Sequence, residues 1–485
     1  MRHLIDPETM RDCERTYFAD GADTSIEAME RAACALADCA MEYFGEIREN
    51  VIAVCGTGGN GGDGYACARI LKSRGYDVSV LPIAPPKSAD AIENARRARE
   101  ANVPFLDAAS DADAALWIDC IYGTGLSRAP EGNAARIIRH MNASRGRVLA
   151  CDIPSGLNGR TGAACDPCVR ADVTATLQRI KTGLVLQDGL DVCGEIIVRD
   201  IGFPDSIFPQ DAPDLIEPRD LHSLFAPRRR NLHKGGCGHL LIIAGSMGMA
   251  GAAALCARAA LRTGAGLVTI ACPAEIMPIL QTLAPCAMCI PLSAENVCAA
   301  LAGKTAVSIG CGLTRAFDPE ILRIVLESGL PAAIDADALN VLSMHPELSA
   351  LLRPHHVLTP HPGEAARLLG HPCADPVSDA RELAGRGCCA VLKGASRTIA
   401  DAAGTCVSAS GSCCMARGGS GDVYTGILGA LLAERADRTI LQTAAAACEL
   451  HGLCGEAAER KYGRRAANSA DLIEFLPEVC RDYAD

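Results

Sequence analysis

Gly418-Gly419-Ser420-Gly421-Asp422-Val423-Tyr424 stands directly before a run in which Tyr424, Ile427, Leu428, Leu431 and Leu432 recur at the spacing of one apolar helical stripe. The spacing predicts a helix that begins at or near Asp422. Its first N–H groups have no intrahelical partner and carry partial positive charge, and the glycines before it let the backbone turn tightly and approach a ligand. The stretch reads as an anion hole with a carboxylate at its lip. Placed there, Asp422 can take the proton of a substrate hydroxyl as it attacks a phosphoryl group, or it can serve only as the helix cap, for which Asp is favoured.

The chain has 485 residues, more than one core organises, so at least two domains are expected. Hydrophobic residues make up 49% but aromatic ones only 4%, so the core must be filled by Ala, Val, Ile, Leu and Cys, with fine-grained helix-on-sheet packing. A net charge of -12 argues against nucleic acid or an anionic membrane as partner, since both need basic faces. A phosphate-bearing ligand then has to be held by local dipoles and a few cations. No uncharged apolar run reaches membrane-spanning length, and a start carrying Asp6, Glu8, Asp12 and Glu14 is unlike a secretory signal, so a cytoplasmic location is expected. There the 26 cysteines stay reduced, and many stand where Ala or Val would serve, as in Ala32-Ala33-Cys34-Ala35. The Cys165/Cys168 and Cys286/Cys289 pairs have no His at zinc-site spacing, and Cys448, His451 and Cys454 are turn-spaced on one helix, so no structural metal is expected.

From the start, Thr24 to Ala40 reads as a helix opened by a hydroxyl cap. Val51 to Cys55 is a buried strand, Gly56 to Gly64 a glycine-rich loop, Tyr65 to Arg74 a helix, and Tyr76 to Leu81 a second strand. This is a complete βαβ unit, with its loop at the carboxyl end of a parallel strand where such sheets bind ligands. Asn60 and Asp63 fit a plain dinucleotide loop poorly, because a carboxylate would meet phosphate. Two more strands end in polar loops: Leu116 to Ile121, followed by Tyr122 to Arg128, and Val148 to Cys151, followed by Asp152-Ile153-Pro154-Ser155-Gly156. Asn60, Asp119 and Ser155 offer oxygens that can surround an alkali cation, and Asp152 can move a proton; loops gathered at strand ends point to one shared site.

Asn60-Gly61-Gly62-Asp63-Gly64, Asp152-Ile153-Pro154-Ser155-Gly156 and the earlier Met29-Glu30-Arg31-Ala32-Ala33 resemble the NAD(P)H-hydrate epimerase domain, a Rossmann-like α/β fold, over residues 1–215. The resemblance implies that Gly59, Asn60, Gly61, Gly62 and Asp63, with Gly123, Thr124, Gly125, Leu126, Ser127, Arg128 and Ala129, hold a hydrated nicotinamide nucleotide. It further implies Asp152 as substrate-binding acid–base and Asn60, Asp119 and Ser155 as potassium ligands. The family's loop has two consecutive asparagines, and Gly59 stands in place of the first.

Past Asp200, Pro204, Pro209, Pro213, Pro218 and Pro227 mark a linker with a short helix around Leu221 to Phe225, ending in Arg228-Arg229-Arg230. A second alternation follows: the strand Leu240 to Ala244, the small-residue helix Ala252 to Thr263, and strands at Val307 to Gly310, Ala332 to Asp335 and Ala390 to Leu392. Every polar cluster again follows a strand. His361 sits in a loop, where histidine more often caps than binds, and Lys393 follows a buried strand and is well placed for phosphate.

His233-Lys234-Gly235, Asp335-Ala336-Asp337-Ala338-Leu339-Asn340, Thr359-Pro360-His361-Pro362-Gly363-Glu364, Lys393-Gly394-Ala395 and the opening stretch together resemble the ADP-dependent NAD(P)H-hydrate dehydratase, of ribokinase-like α/β fold, over residues 216–485. The resemblance implies that Lys393, Gly394, Ala395, Ser396, Arg397 and Gly421 bind the adenine nucleotide. Ala252, Gly312, His361 and Asp422 would face the hydrated nicotinamide, with Asp422 as catalytic base and Mg2+ on the phosphates. Arg417 replaces a small hydroxyl residue, Cys311 a proline and Ala244 a glycine of the family pattern.

The expected protein is thus a Rossmann-like parallel-sheet domain followed by a ribokinase-like domain, with hydrated NADH or NADPH and ADP as small-molecule substrates and with copies of the chain forming a homo-oligomer. The first domain would exchange the R and S hydrates, and the second would dehydrate the S form at the expense of ADP, releasing AMP and phosphate. The alternative is a ribokinase-like kinase for a vitamin precursor or sugar, with a non-catalytic N-terminal binding module.

Overall fold

The computed structural model describes residues 1–21, 23–107, 112–126, 128–225, 228–434 and 436–484. The chain divides into two compact units, residues 3–212 and residues 213–485 with residues 1 and 2. No helix among the described residues is long and apolar enough to cross a membrane.

In the first unit Asp6 caps α1 (Pro7–Ala19), accepting from the N–H groups of Glu8 and Thr9, and Pro7 occupies the first helical position. Thr24 caps α2 (Ser25–Phe44). There follow β1 (Val51–Cys55), α3 (Gly59–Ser73), β2 (Val78–Pro82), α4 (Ala89–Glu100), β3 (Leu116–Cys120), α5 (Gly132–Ala143), β4 (Arg147–Cys151), β5 (Val173–Leu177) and β6 (Glu195–Arg199). The strands are parallel, in the order β2-β1-β3-β4-β5-β6. Helices cover both faces: Leu36, Tyr65 and Leu71 pack on one side, Trp117, Ile137 and Ile138 on the other. Strand order reverses between β1 and β3, which opens a crevice at their carboxyl ends. A separate short parallel pair joins Leu4 and Ile5 to Ile180 and Lys181.

Helix α3 begins at Gly59, not at Tyr65, so the glycine-rich stretch is its first turns rather than a loop. Glycine is needed for contact, since a Cβ on Gly61 would lie 2.1 Å from the carbonyl oxygen of Gly56 and one on Gly62 2.5 Å from Met29 Sδ.

The second unit carries β7 (Asp214–Ile216), β8 (His239–Ile243), α6 (Ala250–Thr263), β9 (Leu267–Cys272), β10 (Met288–Pro291), β11 (Ala306–Ile309), β12 (Ala332–Ile334), α7 (Ala336–Met344), β13 (His356–Leu358), α8 (Pro362–Leu369), β14 (Cys389–Leu392), β15 (Arg397–Asp401), β16 (Gly404–Ser408), α9 (Ser420–Ala433), α10 (Ile440–Ala466) and α11 (Ser469–Tyr483). Its strands run β10-β9-β8-β11-β12-β13-β14-β15-β16-β7. They are parallel except that β15 lies antiparallel to both β14 and β16. Because β7 pairs with β16, the chain from Pro213 belongs to this unit.

Helix α9 is buried on every side from Val423 to Ala433, where the sequence suggested one apolar stripe. Small residues make this possible: α6 contributes Ala253, Cys256, Ala257 and Ala260 to the same cluster, and α10 contributes Ala444, Ala447 and Cys448. All 26 cysteines are free thiols, most of them buried, in keeping with use as small hydrophobes.

Candidate active sites

At the crevice of the first unit, Gly58 and Gly59 open α3 with free space where a Cβ would be, leaving the first amides of the helix accessible. Asn60 faces Gly123, whose Cβ would lie 3.3 Å from its amide oxygen. The loop turns there through a hydrogen bond from Leu126 N to Gly123 O of 3.3 Å; Gly125, Arg128 and Ala129 are exposed, and Ser127 lies outside the described residues. The fully buried Asp119, at the end of β3, accepts from Ser155 Oγ at 2.6 Å, Ser155 N at 2.7 Å and Ile121 N at 3.2 Å. Burial pushes its carboxyl up to about 6 against those hydrogen bonds.

Asp152 follows β4 with φ of +64°, a left-handed conformation tolerated by Asp and held by its own contacts. Its Oδ1 accepts from Leu177 N at 3.0 Å and Thr176 Oγ1 at 3.3 Å, and it is ion-paired with Lys181, which is 1% exposed and also donates to Leu177 O at 2.7 Å. Asp63 is buried from α3, and burial, then Asp152 and Glu14, drives its carboxyl far up, with Lys181 opposing. Two members of this cluster escaped the sequence reading. Lys181 had the same signal as the rest, a polar loop after a strand, and Glu14 lies on α1, announced by Asp6 and Pro7.

In the second unit Gly419 is the helix cap, with φ of +92°, and Asp422 sits in the first turn of α9; no side chain caps this helix. Asp422 therefore is free of the capping role. Burial pushes its carboxyl up, a hydrogen bond with Cys311 opposes, Asp335 raises it and Lys393 lowers it, which puts these groups around one point. Asp335, 2% exposed, binds the cluster together: Lys393 Nζ and Thr425 Oγ1 each donate to it at 2.6 Å. A Cβ on Gly421 would lie 3.6 Å from Lys393 Nζ. Burial pulls Lys393 down, but Asp335 and then Glu364 outweigh it and hold the ammonium above its ordinary range. Asp335 and Glu364 stand in motifs whose pattern assigns them no role; a buried carboxylate beside a half-buried Lys is seen only in three dimensions.

Ala252 and Gly312 touch, since a Cβ on Gly312 would lie 2.9 Å from Ala252 Cβ, and Ser246 Oγ fixes the turn by donating to Gly312 O at 2.8 Å. His361 caps α8, its Nδ1 accepting from Gly363 N at 3.0 Å, while its exposed ring leans on buried Glu364 at 3.4 Å. Gly394 and Ala395 are exposed beyond β14 and Ser396 is buried. The Arg397 side chain is buried and donates to Ser410 O, with His451 Nδ1 at 3.4 Å. Arg417 donates to Arg465 O. Among the described residues, no three His, Cys, Asp or Glu side chains converge as a metal site.

Residues 240–478 match the family model described as NAD(P)H-hydrate dehydratase, and residues 25–183 that described as YjeF-related protein N-terminus. The chain is 35% identical to the bifunctional NAD(P)H-hydrate repair enzyme Nnr of Escherichia coli over 94% of its length and 90% of that protein. It is 34% identical to the enzyme of the same name from Moorella thermoacetica, over 100% of this chain and 97% of the other. Among solved structures, a ribokinase-like superfamily protein of Enterococcus faecalis aligns at TM-score 0.51 and 26% identity, covering 57% of this chain and 98% of that one. The ADP/ATP-dependent NAD(P)H-hydrate dehydratase of Bacillus subtilis, co-crystallised with ATP and Mg2+, aligns at TM-score 0.50 and 26% identity over 57% of this chain and 100% of its own. With both family models in order on one chain and full-length relatives above a third identical, the chain belongs to the family of bifunctional NAD(P)H-hydrate repair enzymes.

Proposed function

We propose that each unit carries out one step in the repair of hydrated NADH and NADPH, the first exchanging the two hydrate epimers and the second dehydrating one of them with a nucleotide as phosphoryl donor. The observation that carries the second assignment is Asp422 on the first turn of α9, free of capping and gathered with Lys393 and Asp335 at a helix start that no side chain caps. Asp422 takes the proton of the substrate hydroxyl, whose oxygen bonds to the terminal phosphorus of ADP while AMP leaves. The amides of Gly419 and Gly421 and the ammonium of Lys393 meet the charge that spreads over the phosphoryl oxygens. The carbon–oxygen bond then breaks, phosphate departs, and loss of the neighbouring C–H proton restores the ring double bond. Mg2+ would enter with the nucleotide's phosphates, next to the carboxylates of Asp422 and Asp335, and would offset the phosphate charge.

In the first unit, Gly59 to Asp63 and residues 123–126, 128 and 129 form the walls for the nucleotide, and Asp152, fixed by Lys181 and the end of β5, moves the proton. Asp119, Ser155 and Asn60 suit potassium. Asp119 and Ser155 already share one oxygen cluster, and the side-chain amide oxygen of Asn60 is a further ligand of the kind an alkali cation takes. The ion supplies fixed positive charge there when bound. Free thiols throughout both units suit a reducing compartment such as the cytoplasm.

Asp422→Asn is expected to lower nucleotide-dependent recovery of NADH absorbance by about 10²–10⁴-fold while epimer exchange continues. Normal dehydration in that variant removes the mechanism. A stable phosphorylated product in place of free phosphate would make the second unit a kinase.

A further inference from the structure

Helix α1 lies along the rim of the first site. On one face Met10 is buried with Ile5, Ala32 and Leu177. On the adjoining face Pro7, Arg11 and Glu14 follow one another at i, i+4 and i+7. Pro7 Cγ is 2.7 Å from where a Cβ on Gly159 would stand, in the loop after β4. Arg11 Nη1 donates to Thr124 O at 3.2 Å, in the loop after β3. Glu14, half-buried one turn on, comes within electrostatic reach of Lys181 and Asp152, and Asp63 feels both Asp152 and Glu14. The pairing of Leu4 and Ile5 with Ile180 and Lys181 fixes the chain just before the helix begins. Two contacts on one helical face thus lead to a carboxyl group that no step above employs.

Exchange of hydrate epimers needs chemistry on both faces of the ring. The hydroxyl-bearing carbon adjoins the ring nitrogen, because water adds to a protonated enamine at its iminium carbon. Inversion then follows if the C–O bond breaks with a proton delivered to the departing oxygen, the nitrogen lone pair forming C=N+, and a new water adds to the opposite face as its proton is removed.

We propose that Glu14 is the second proton-transferring group of epimer exchange, serving one face of the hydrated ring while Asp152 serves the other. This rests on the first unit being the epimerase with Asp152 at its centre. In one direction Glu14 gives its proton to the hydroxyl, water leaves, a second water bonds to the cation from the far face and its proton goes to Asp152; the reverse direction returns both protons and breaks the new bond. Burial, opposed by Lys181, raised by Asp152 and opposed by Arg11, brings the Glu14 carboxyl to about 7, where it can both give and take a proton near neutrality. Lys181, Asp152, Arg11 and Asp63 are the charged groups facing it.

The test follows each pure epimer of hydrated NADH in ¹⁸O-water with the full-length protein, without nucleotide. The wild-type enzyme inverts each epimer and loads ¹⁸O into its hydroxyl. Glu14→Gln should slow inversion at least 100-fold yet still exchange the oxygen of one epimer, on the face Asp152 serves. Asp152→Asn should give the mirror result with the other epimer, and Glu14→Asp should restore part of the inversion. Wild-type inversion in Glu14→Gln overturns the proposal, and so does equal loss of oxygen exchange for both epimers, the mark of a structural role. Inversion by the wild-type protein without ¹⁸O uptake refutes the water-exchange step, whereas no inversion at all by the wild-type protein refutes the epimerase reading itself.

Discussion

Asp422 has to be ionised to act as base, and its surroundings resist ionisation. Burial pushes the carboxyl up, the Cys311 hydrogen bond offsets part of that, and Asp335 and Asp337 add to it while Lys393 lowers it. The acid limb of kcat/KM for dehydration should therefore lie above the ordinary carboxylate range, and Lys393→Met should carry it higher still. A pH profile at saturating nucleotide checks this; an unmoved limb in Lys393→Met would separate the two groups. The same shift bears on folding. A folded carboxyl that binds its proton more tightly than the unfolded one makes stability fall as pH rises from the ordinary carboxylate range through the raised value. Above that range Asp422→Asn removes the cost, so its unfolding midpoint at pH 7.5 should equal or exceed that of the wild type. A lower midpoint would show the carboxylate to be a structural support. At this scale the sequence revealed residues that follow strands or open helices, such as Asp152, Lys393 and Asp422. It concealed Asp335, Lys181 and Glu14, whose significance comes from partners between about 30 and 170 residues away in the chain.

Strands were legible as short apolar runs, and helix starts only where side chains announce them. Helix α3 starts six residues before its first large side chain because its glycines are demanded by neighbours, Gly56 and Met29, that no local pattern displays. Helix α9 was read from its leucines, but its small residues decide where it lies. A Cβ on Gly426 would sit 2.2 Å from the carbonyl oxygen of Cys256 and 2.9 Å from Ala259 Cβ on α6. Backbone cannot give as a side-chain end can, so Gly426→Ala should force α6 and α9 apart at a cost of about 1–3 kcal/mol. Because α9 carries Asp422 and α6 carries Ala252, dehydration should fall with stability. Denaturant unfolding of the full chain should show the second unit's transition moving while epimer exchange persists; an unmoved transition would mean that the helices yield without loss.

Two cores, one in residues 3–212 and one from residue 213 onward, give the molecule two sites that can be silenced separately. In the proposed mechanism, a site shaped around one configuration of the hydroxyl-bearing carbon would align that hydroxyl with Asp422 and misalign the opposite configuration, so the second unit alone would leave one epimer behind. The first unit removes this limit only by returning the stranded epimer to the accepted form. Its product needs no direct transfer if the hydrate leaves one site and enters another through solution. Full-length Asp152→Asn should accordingly convert a mixture of epimers with nucleotide until the accepted one is spent, apart from slow uncatalysed exchange, and then stop. Adding full-length Asp422→Asn, whose first unit is intact, should restart NADH formation and carry it to completion, at a rate proportional to the amount added. If the pair of variants stalls where Asp152→Asn alone does, while each retains its single activity, the epimer must pass between sites of one chain without entering solution.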